Sequence, residues 1–350
     1  MNRPPSATLA TILERIKTLR AEGRRFVLCL VTHTEGSTYR KSGALAVVSQ
    51  EEVYGVISGG CLEPDLIRQA RSVLLERTAC HFMLDTVPDS DLVFGSGSGC
   101  RGRTYVLAVP DHAAYAVIVN ALLAADQQCV ALDLALLLDG DAVASGACWY
   151  GSTEVSVAGG LETVETYRDA PPRVYALSEK HASVRVARLR IPSVPRLLII
   201  GAGPEAAPLI RLSSLLGWRE TLVDHRSAAV QNLEGIANRR VIAWPADALS
   251  DLKRERFDAC VIMTHTAAAD LEALRAIGTS QIPYVGLLGP PERRNELMRS
   301  LNETQRQSLA GRLRSPVGLK LGGHCPESLA LSIAAQLQMH FSTGSRPTDS

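Results

Sequence analysis

The feature that most constrains this chain is a glycine turn set between a strand and a helix. The apolar run at 197–200 has strand length, and Gly201-Ala202-Gly203-Pro204-Glu205-Ala206 follows it directly. Helical spacing then continues over 206–216, and a second apolar run ends at Asp224, 23 residues after Gly201. Strand, G-x-G-x-x-A turn, helix and a strand ending in an acid together predict a Rossmann-type βαβ unit. Glycines at 201 and 203 allow backbone amides to approach a phosphate at the positive end of the helix, and Asp224 is placed to hold a ribose-type diol. Glu205 argues against ordinary dinucleotide binding, because a carboxylate in the first turn competes with a pyrophosphate for the same amides. A turn that serves packing alone is the plain structural alternative.

In an open parallel sheet the ligand lies beyond the carboxyl ends of the strands. The ends at Asp224, His265 and Leu288-Gly289 are therefore expected to converge on one crevice. His225, Arg226, Arg293 and Arg294 offer positive charge there. For His265 the competing reading is a helix-entry residue between Thr264 and Thr266. For Arg293 and Arg294 it is a solvated helix start, which is the preferred reading of those two.

At 350 residues the chain exceeds the usual ceiling of about 250 to 300 residues on one hydrophobic core, so two domains are expected. Pro192 and Pro195 mark the linker, giving domains at 8–190 and 196–340. The N-terminal half mixes helices and short strands: a helix over 8–21, a strand over 26–31, a hairpin over 44–57, a helix over 62–76, and strands at 81–85 and 105–109. The fold class is thus α/β, a mixed N-terminal domain followed by a doubly wound parallel sheet.

Lys and Arg number 37 against 36 Asp and Glu, so no net field draws the chain to a nucleic-acid backbone or an anionic membrane. The first residues lack a signal-peptide pattern and no stretch has transmembrane length, which predicts a cytoplasmic protein. Two motifs fail on inspection. Gly97 to Thr104 resembles a P-loop, but Arg103 stands in place of the lysine and a strand follows where a helix is required. The same segment misses G-x-S-x-G by one position.

Eight cysteines without a C-x-x-C pair predict reduced thiols. Cys29, Cys129, Cys148 and Cys260 lie in apolar runs and read as small core residues. Cys61 follows Gly59-Gly60 at a helix entrance, where the dipole favours a thiolate although Glu63 and Asp65 oppose it. Cys100 stands among glycines with Arg101 and Arg103 beside it. Each is either a functional thiol or a structural one. Cys325, before Pro326 at another helix start, gives a weaker signal.

The run from Gly36 to Ala44, with Ser58-Gly59-Gly60-Cys61-Leu62-Glu63 and Gly99-Cys100-Arg101-Gly102, resembles the XdhC/CoxI family of xanthine dehydrogenase accessory proteins. In the C-terminal half the matching stretches are 198–203, Val223-Asp224-His225-Arg226, Met263-Thr264-His265 with Asp270, 284–289 and 316–330. The resemblance implies a non-catalytic chaperone that binds molybdenum cofactor in its molybdopterin form, with or without a nucleotide. Such a chaperone protects the cofactor and supports its sulfuration and insertion into a xanthine dehydrogenase-type molybdenum hydroxylase. A cysteine desulfurase or sulfurtransferase is the implied second partner, and a homo-oligomer is a further expectation. On this basis Arg40 and the Gly201 turn are candidate phosphate sites, and Cys61 and Cys100 are candidate thiols near molybdenum. Gly59, Gly60, Glu63, Gly203, Asp224, Arg226, His265 and Gly289 complete the expected cofactor-binding set. The chain departs from the family pattern at Tyr39, Ser98, Cys325 and Ser328. The alternative is an NAD(P)-dependent oxidoreductase built on the Gly201 turn, with Asp224 and with His265 as proton donor; it leaves the cysteine-glycine loops unexplained.

Overall fold

A computed structural model of the chain describes residues 8–58, 60, 62–85, 102–140, 143–157, 167–179 and 182–343. The chain divides into two compact units between Ser193 and Val194.

The N-terminal unit runs α1 (Leu9–Ala21), β1 (Phe26–Gly36), β2 (Leu45–Ser49), β3 (Val53–Tyr54), α2 (Glu63–Glu76), β4 (Cys80–Asp85), β5 (Gly102–Pro110), α3 (Ala116–Gln128), β6 (Leu132–Leu137), β7 (Gly146–Tyr150), β8 (Thr153–Val157), β9 (Val174–Glu179) and β10 (Ala182–Ile191). It holds two antiparallel five-stranded sheets, ordered β3-β2-β1-β5-β4 and β8-β7-β6-β10-β9. Alternation along β1 sends Val27, Cys29 and Val31 into a core with Leu66, Ala70 and Val73 of α2. β1 runs farther than its apolar stretch predicts, because a register shift between Val31 and His33 carries the polar segment through to Gly36. Gly36 pairs with Gly102, and Asp85 with Arg103, so the end of β1, the end of β4 and the start of β5 share one end of the sheet. The chain after β3 leaves toward that end as well, since β3 runs antiparallel to β2 and β2 antiparallel to β1.

The C-terminal unit runs β11 (Arg196–Ile200), α4 (Ala206–Leu216), β12 (Arg219–Asp224), α5 (Ser227–Gln231), β13 (Arg239–Ile242), α6 (Pro245–Asp251), β14 (Ala259–Ile262), α7 (Ala267–Ile277), β15 (Val285–Leu287), α8 (Pro291–Arg299), α9 (Glu303–Ala310), β16 (Leu313–Arg314) and α10 (Pro326–Thr343). Its six strands are all parallel, in the order β13-β12-β11-β14-β15-β16. Apolar residues fill both faces, which is why these strands read as continuous hydrophobic runs. Leu198, Ile200, Cys260 and Ile262 meet Leu274 and Leu297 on one side. Leu197, Ile199, Val261 and Met263 meet Leu209, Ile333 and Leu337 on the other. The order reverses between β11 and β14, so the crevice at the carboxyl ends of those two strands is the topological switch point. At one edge, β13 is four residues long with Arg239 and Arg240 exposed; at the other, β16 has two residues.

Among the described residues no helix is long and apolar enough to cross a membrane.

Candidate functional site

The switch-point crevice begins at Gly201, whose φ of +115° is a conformation open to glycine. A Cβ there would lie 2.4 Å from the Met263 carbonyl oxygen, so the turn presses directly on the exit of β14. Asp224, at the end of β12, has a side chain only 2% exposed. Its Oδ2 accepts the Ala202 N–H at 2.7 Å and Arg226 Nη2 at 2.7 Å. Its Oδ1 accepts the Arg226 backbone N–H at 2.8 Å and Arg226 Nε at 3.0 Å. A carboxylate has roughly four acceptor sites, and here the protein itself fills them. The sequence offered Asp224 to a ligand diol; in the folded chain it pins Arg226 and the glycine turn, and a diol would have to displace one of these donors.

Burial pushes the Asp224 carboxyl up, but the Arg226 guanidinium and the two backbone N–H groups outweigh it and hold the group at about 2, below the ordinary 3.8. A depressed carboxyl stabilises the fold above its unfolded value and loses that contribution as pH falls toward the folded one. Asp224→Asn should therefore lose about 2 kcal/mol at neutral pH and show a flatter decline between pH 3.8 and about 2. Urea unfolding at several pH values checks this, and an unchanged acid slope in the variant would contradict it.

The phosphate seat of the turn is altered in two ways. Pro204 contributes no N–H. Glu205 is the N-cap residue of α4, and its carboxylate turns away from the helix amides to meet His265 Nε2 at 2.9 Å. The Glu205 side chain is 8% exposed and that of His265 is 46% exposed. A Cβ on Gly203 would fall 2.7 Å from His265 Nε2 and 3.1 Å from Glu205 Oε2, so the pair sits over the glycine. His265 itself has φ +63°, an uncommon conformation for a non-glycine residue that recurs at functional sites. The turn that positions it is anchored from beneath. Asp270, fully buried, accepts the Thr264 hydroxyl at 2.5 Å and both Nε and Nη2 of Arg293, at 3.0 and 2.6 Å.

This corrects the expectation of a solvated helix start for Arg293. Its guanidinium is spent on a buried carboxylate, and its stem packs where a Cβ on Gly289 would lie, 3.0 Å from Cδ. Arg294 is not freely solvated either: its Nε is buried with no hydrogen-bond partner among the described residues. Arg226 keeps an exposed guanidinium, but with two of its nitrogens on Asp224. Trp244, which no motif marks, stands at the carboxyl end of β13 and stacks on His225 with ring centroids 4.0 Å apart.

In the N-terminal unit, Arg40 lies half-buried in the connection between β1 and β2, and its side chain has no hydrogen-bond or ion-pair partner among the described residues. That connection packs on the start of β5, since a Cβ on Gly102 would meet Ser37 O at 2.6 Å. Glu63 closes the turn before α2: it accepts the backbone N–H of Ser58 at 3.0 Å and of Gly60 at 2.9 Å, and the Ser58 hydroxyl as well. Its carboxylate thus ties down the backbone at Ser58 and Gly60 rather than standing free. Gly59, Cys61 and Cys100 lie outside the described residues.

Of the four cysteines expected in the core, Cys29, Cys148 and Cys260 are fully buried, and burial pushes the thiols of Cys29 and Cys148 up to about 12 and that of Cys260 higher still. Cys129 departs from that expectation. It caps the end of α3 at φ +57° and is only half-buried. Cys325, exposed at the start of α10, lies 2.8 Å from the Ser328 hydroxyl. A polar cluster that no motif announced joins β1, β4 and β5: Thr32 contacts His81 Nε2 at 3.1 Å, and His33 stacks on Tyr105 at 3.8 Å. Burial, aided by the charge of Arg185, lowers His81 to about 4 and keeps it neutral.

Two family models match the chain: the XdhC and CoxI family over residues 19–84 and the XdhC Rossmann domain over residues 197–337. The chain is 28% identical over 328 residues to a Bacillus subtilis protein that bears the name of a probable xanthine dehydrogenase subunit, covering 89% of this chain and 92% of that one. It is similar to the crystal structure of a xanthine dehydrogenase from Bacillus halodurans, with a TM-score of 0.77, 27% identity and 97% of each chain covered. A shorter similarity, 28% identity over 149 residues, links 41% of the chain to 27% of the uncharacterized Escherichia coli protein YqeB. With a family model on each of its two units and a like-folded relative along nearly its whole length, the chain belongs to the XdhC and CoxI family.

Proposed function

We propose that the chain is a non-catalytic accessory protein of a xanthine dehydrogenase-type molybdenum hydroxylase. It binds molybdenum cofactor as cargo, protects it, and supports its sulfuration and insertion, with a cysteine desulfurase or sulfurtransferase as sulfur source. Besides family membership, the observation that carries this reading is the closed glycine turn. Pro204 removes a donor, and the Glu205 carboxylate with His265 covers Gly203, where an NAD(P)-dependent oxidoreductase needs room and amides for a pyrophosphate. The Rossmann frame is kept while its dinucleotide seat is filled by protein.

Each unit carries donors that suit such a cargo. Molybdopterin brings a phosphate, a fused heterocycle and a dithiolene-bound metal. Arg40 and the outer edge of Arg226 are guanidiniums with N–H groups to offer a phosphate. Thiolates at Cys61 and Cys100 would match a soft metal centre. When bound, the cofactor supplies the redox-active metal that the hydroxylase uses, while this chain holds and shields it. A homo-oligomer belongs to the same reading.

The test is the purified, cofactor-loaded protein. Acid oxidation should release a fluorescent pterin rather than reduced nicotinamide. Cys61→Ser and Cys100→Ser should each lower bound molybdenum with little change in melting temperature. Serine keeps the size of the side chain but stays protonated. If the sulfurs are structural, the same variants lose ~1 to 3 kcal/mol of stability through an unsatisfied hydroxyl. Full molybdenum content beside a lowered melting temperature would defeat the assignment.

A further inference from the structure

Trp244 is 45% exposed and Ile242, two residues before it, 53% exposed, although both stand at the carboxyl edge of the sheet, where a Rossmann-type crevice receives its ligand. The segment is held there: the Ala243 N–H donates to the backbone oxygen of Asp224 at 3.2 Å. The indole is also pre-set in orientation. The His225 ring lies parallel to it, 4.0 Å between centroids with planes 10° apart, and His225 Nδ1 is 3.6 Å from Asp224 Oδ1. Beside this slab, Arg226 is fixed by its two bonds to Asp224. Its Nη1 donors have no partner among the described residues, and the side chain is 46% exposed. A rigid aromatic surface next to an oriented guanidinium matches one ligand chemistry, a planar nitrogen heterocycle carrying a phosphate. Stacking on an aromatic face tolerates any such ring, and a pinned guanidinium meets the anion.

We infer that Trp244 and His225 form a stacking platform for the heterocycle of a phosphorylated ligand whose phosphate is met by Arg226. Two sources share this chemistry, a nucleotide and the pterin of molybdopterin. The platform lies on the β12–β13 side of the sheet, away from the Glu205–His265 closure between β11 and β14, so it requires no phosphate on the glycine turn. The inference deepens the reading of the chain as a cofactor carrier by assigning a place for the ring system.

The chain has three tryptophans, and Trp149 and Trp218 are only 3% and 4% exposed, so a ligand on the platform should quench mainly Trp244 emission. The full-length protein would be titrated with AMP, CMP, adenosine and a pterin carboxylate, with equilibrium dialysis as the second measure of binding. Saturable quenching by AMP or CMP identifies a nucleotide, and by the pterin alone identifies the pterin. Trp244→Ala should weaken binding about 5- to 150-fold, whereas Trp244→Phe should largely retain it. Arg226→Met should abolish the preference for AMP over adenosine. If no probe binds the wild type, or if Trp244→Ala binds as well or alters only self-association, the platform is wrong. The carrier reading fails separately: wild-type protein that releases no pterin on acid oxidation, yet still binds AMP through Trp244, would refute the cargo and leave the platform standing.

Discussion

Asp270→Ala is expected to lower the stability of the C-terminal unit by ~3 to 5 kcal/mol, a drop of roughly 6 to 20 °C in melting temperature. Asp270 is fully buried, and four donor contacts converge on it: the Thr264 N–H at 3.3 Å, the Thr264 hydroxyl at 2.5 Å, and two nitrogens of Arg293 at 3.0 and 2.6 Å. Removing the carboxylate strands a guanidinium that is 26% exposed and frees the turn that holds His265 at positive φ. Part of the loss should be returned by Arg293→Met in the Asp270→Ala background, because that change removes the orphaned charge. Thermal and urea unfolding of the single and double variants measure the coupling. A loss below 1 kcal/mol, or strictly additive effects, would show that the pair is not the anchor of the turn.

Gly201→Ala is expected to cost ~2 to 6 kcal/mol, from two sources that act together. The residue would adopt φ +115°, which side chains resist. Its Cβ would meet Met263 O, Met263 C and Thr264 N at 2.4, 2.6 and 2.7 Å, all backbone atoms of a central strand's exit. Gly235→Ala provides the control. There φ is +78° but nothing lies within 4 Å, so only the conformational cost of ~1 to 2 kcal/mol applies. Equal melting temperatures for the two variants would mean that the turn and β14 are not in close contact.

What could be read from the sequence follows from where each interaction lies along the chain. The parallel sheet was legible because burial on both faces makes each central strand a short apolar run, and the glycine turn between 200 and 206 is a local signal. The full length of β1 was not, because Thr32 to Glu35 are polar and only pairing with β5 across a register shift makes them a strand. The crevice shows the same division. Asp224 and Arg226 are two residues apart and were both marked. The Glu205–His265 and Asp270–Arg293 pairs span 60 and 23 residues, so although Glu205, His265 and Asp270 were each noted, neither pairing could be read until the fold joined them, and Arg293 read as a solvated helix start. Trp244 carried one usable hint: an aromatic residue directly after a strand in an open parallel sheet falls at the ligand edge, whatever motif surrounds it.

The two border strands of the C-terminal sheet have a consequence for assembly. Unpaired main-chain groups on an outermost strand invite another chain to add alongside, the usual route to uncontrolled aggregation. Here one border offers two residues of ladder, and the other offers four, with Arg239 and Arg240 paired to Glu255 and Glu234. A neighbouring molecule gains little by extending such a sheet, and the exposed charges beside the longer border oppose close approach of an apolar strand. Edge-to-edge growth of this sheet is thereby disfavoured, and contacts that the C-terminal unit makes with other proteins are left to its helices and loops.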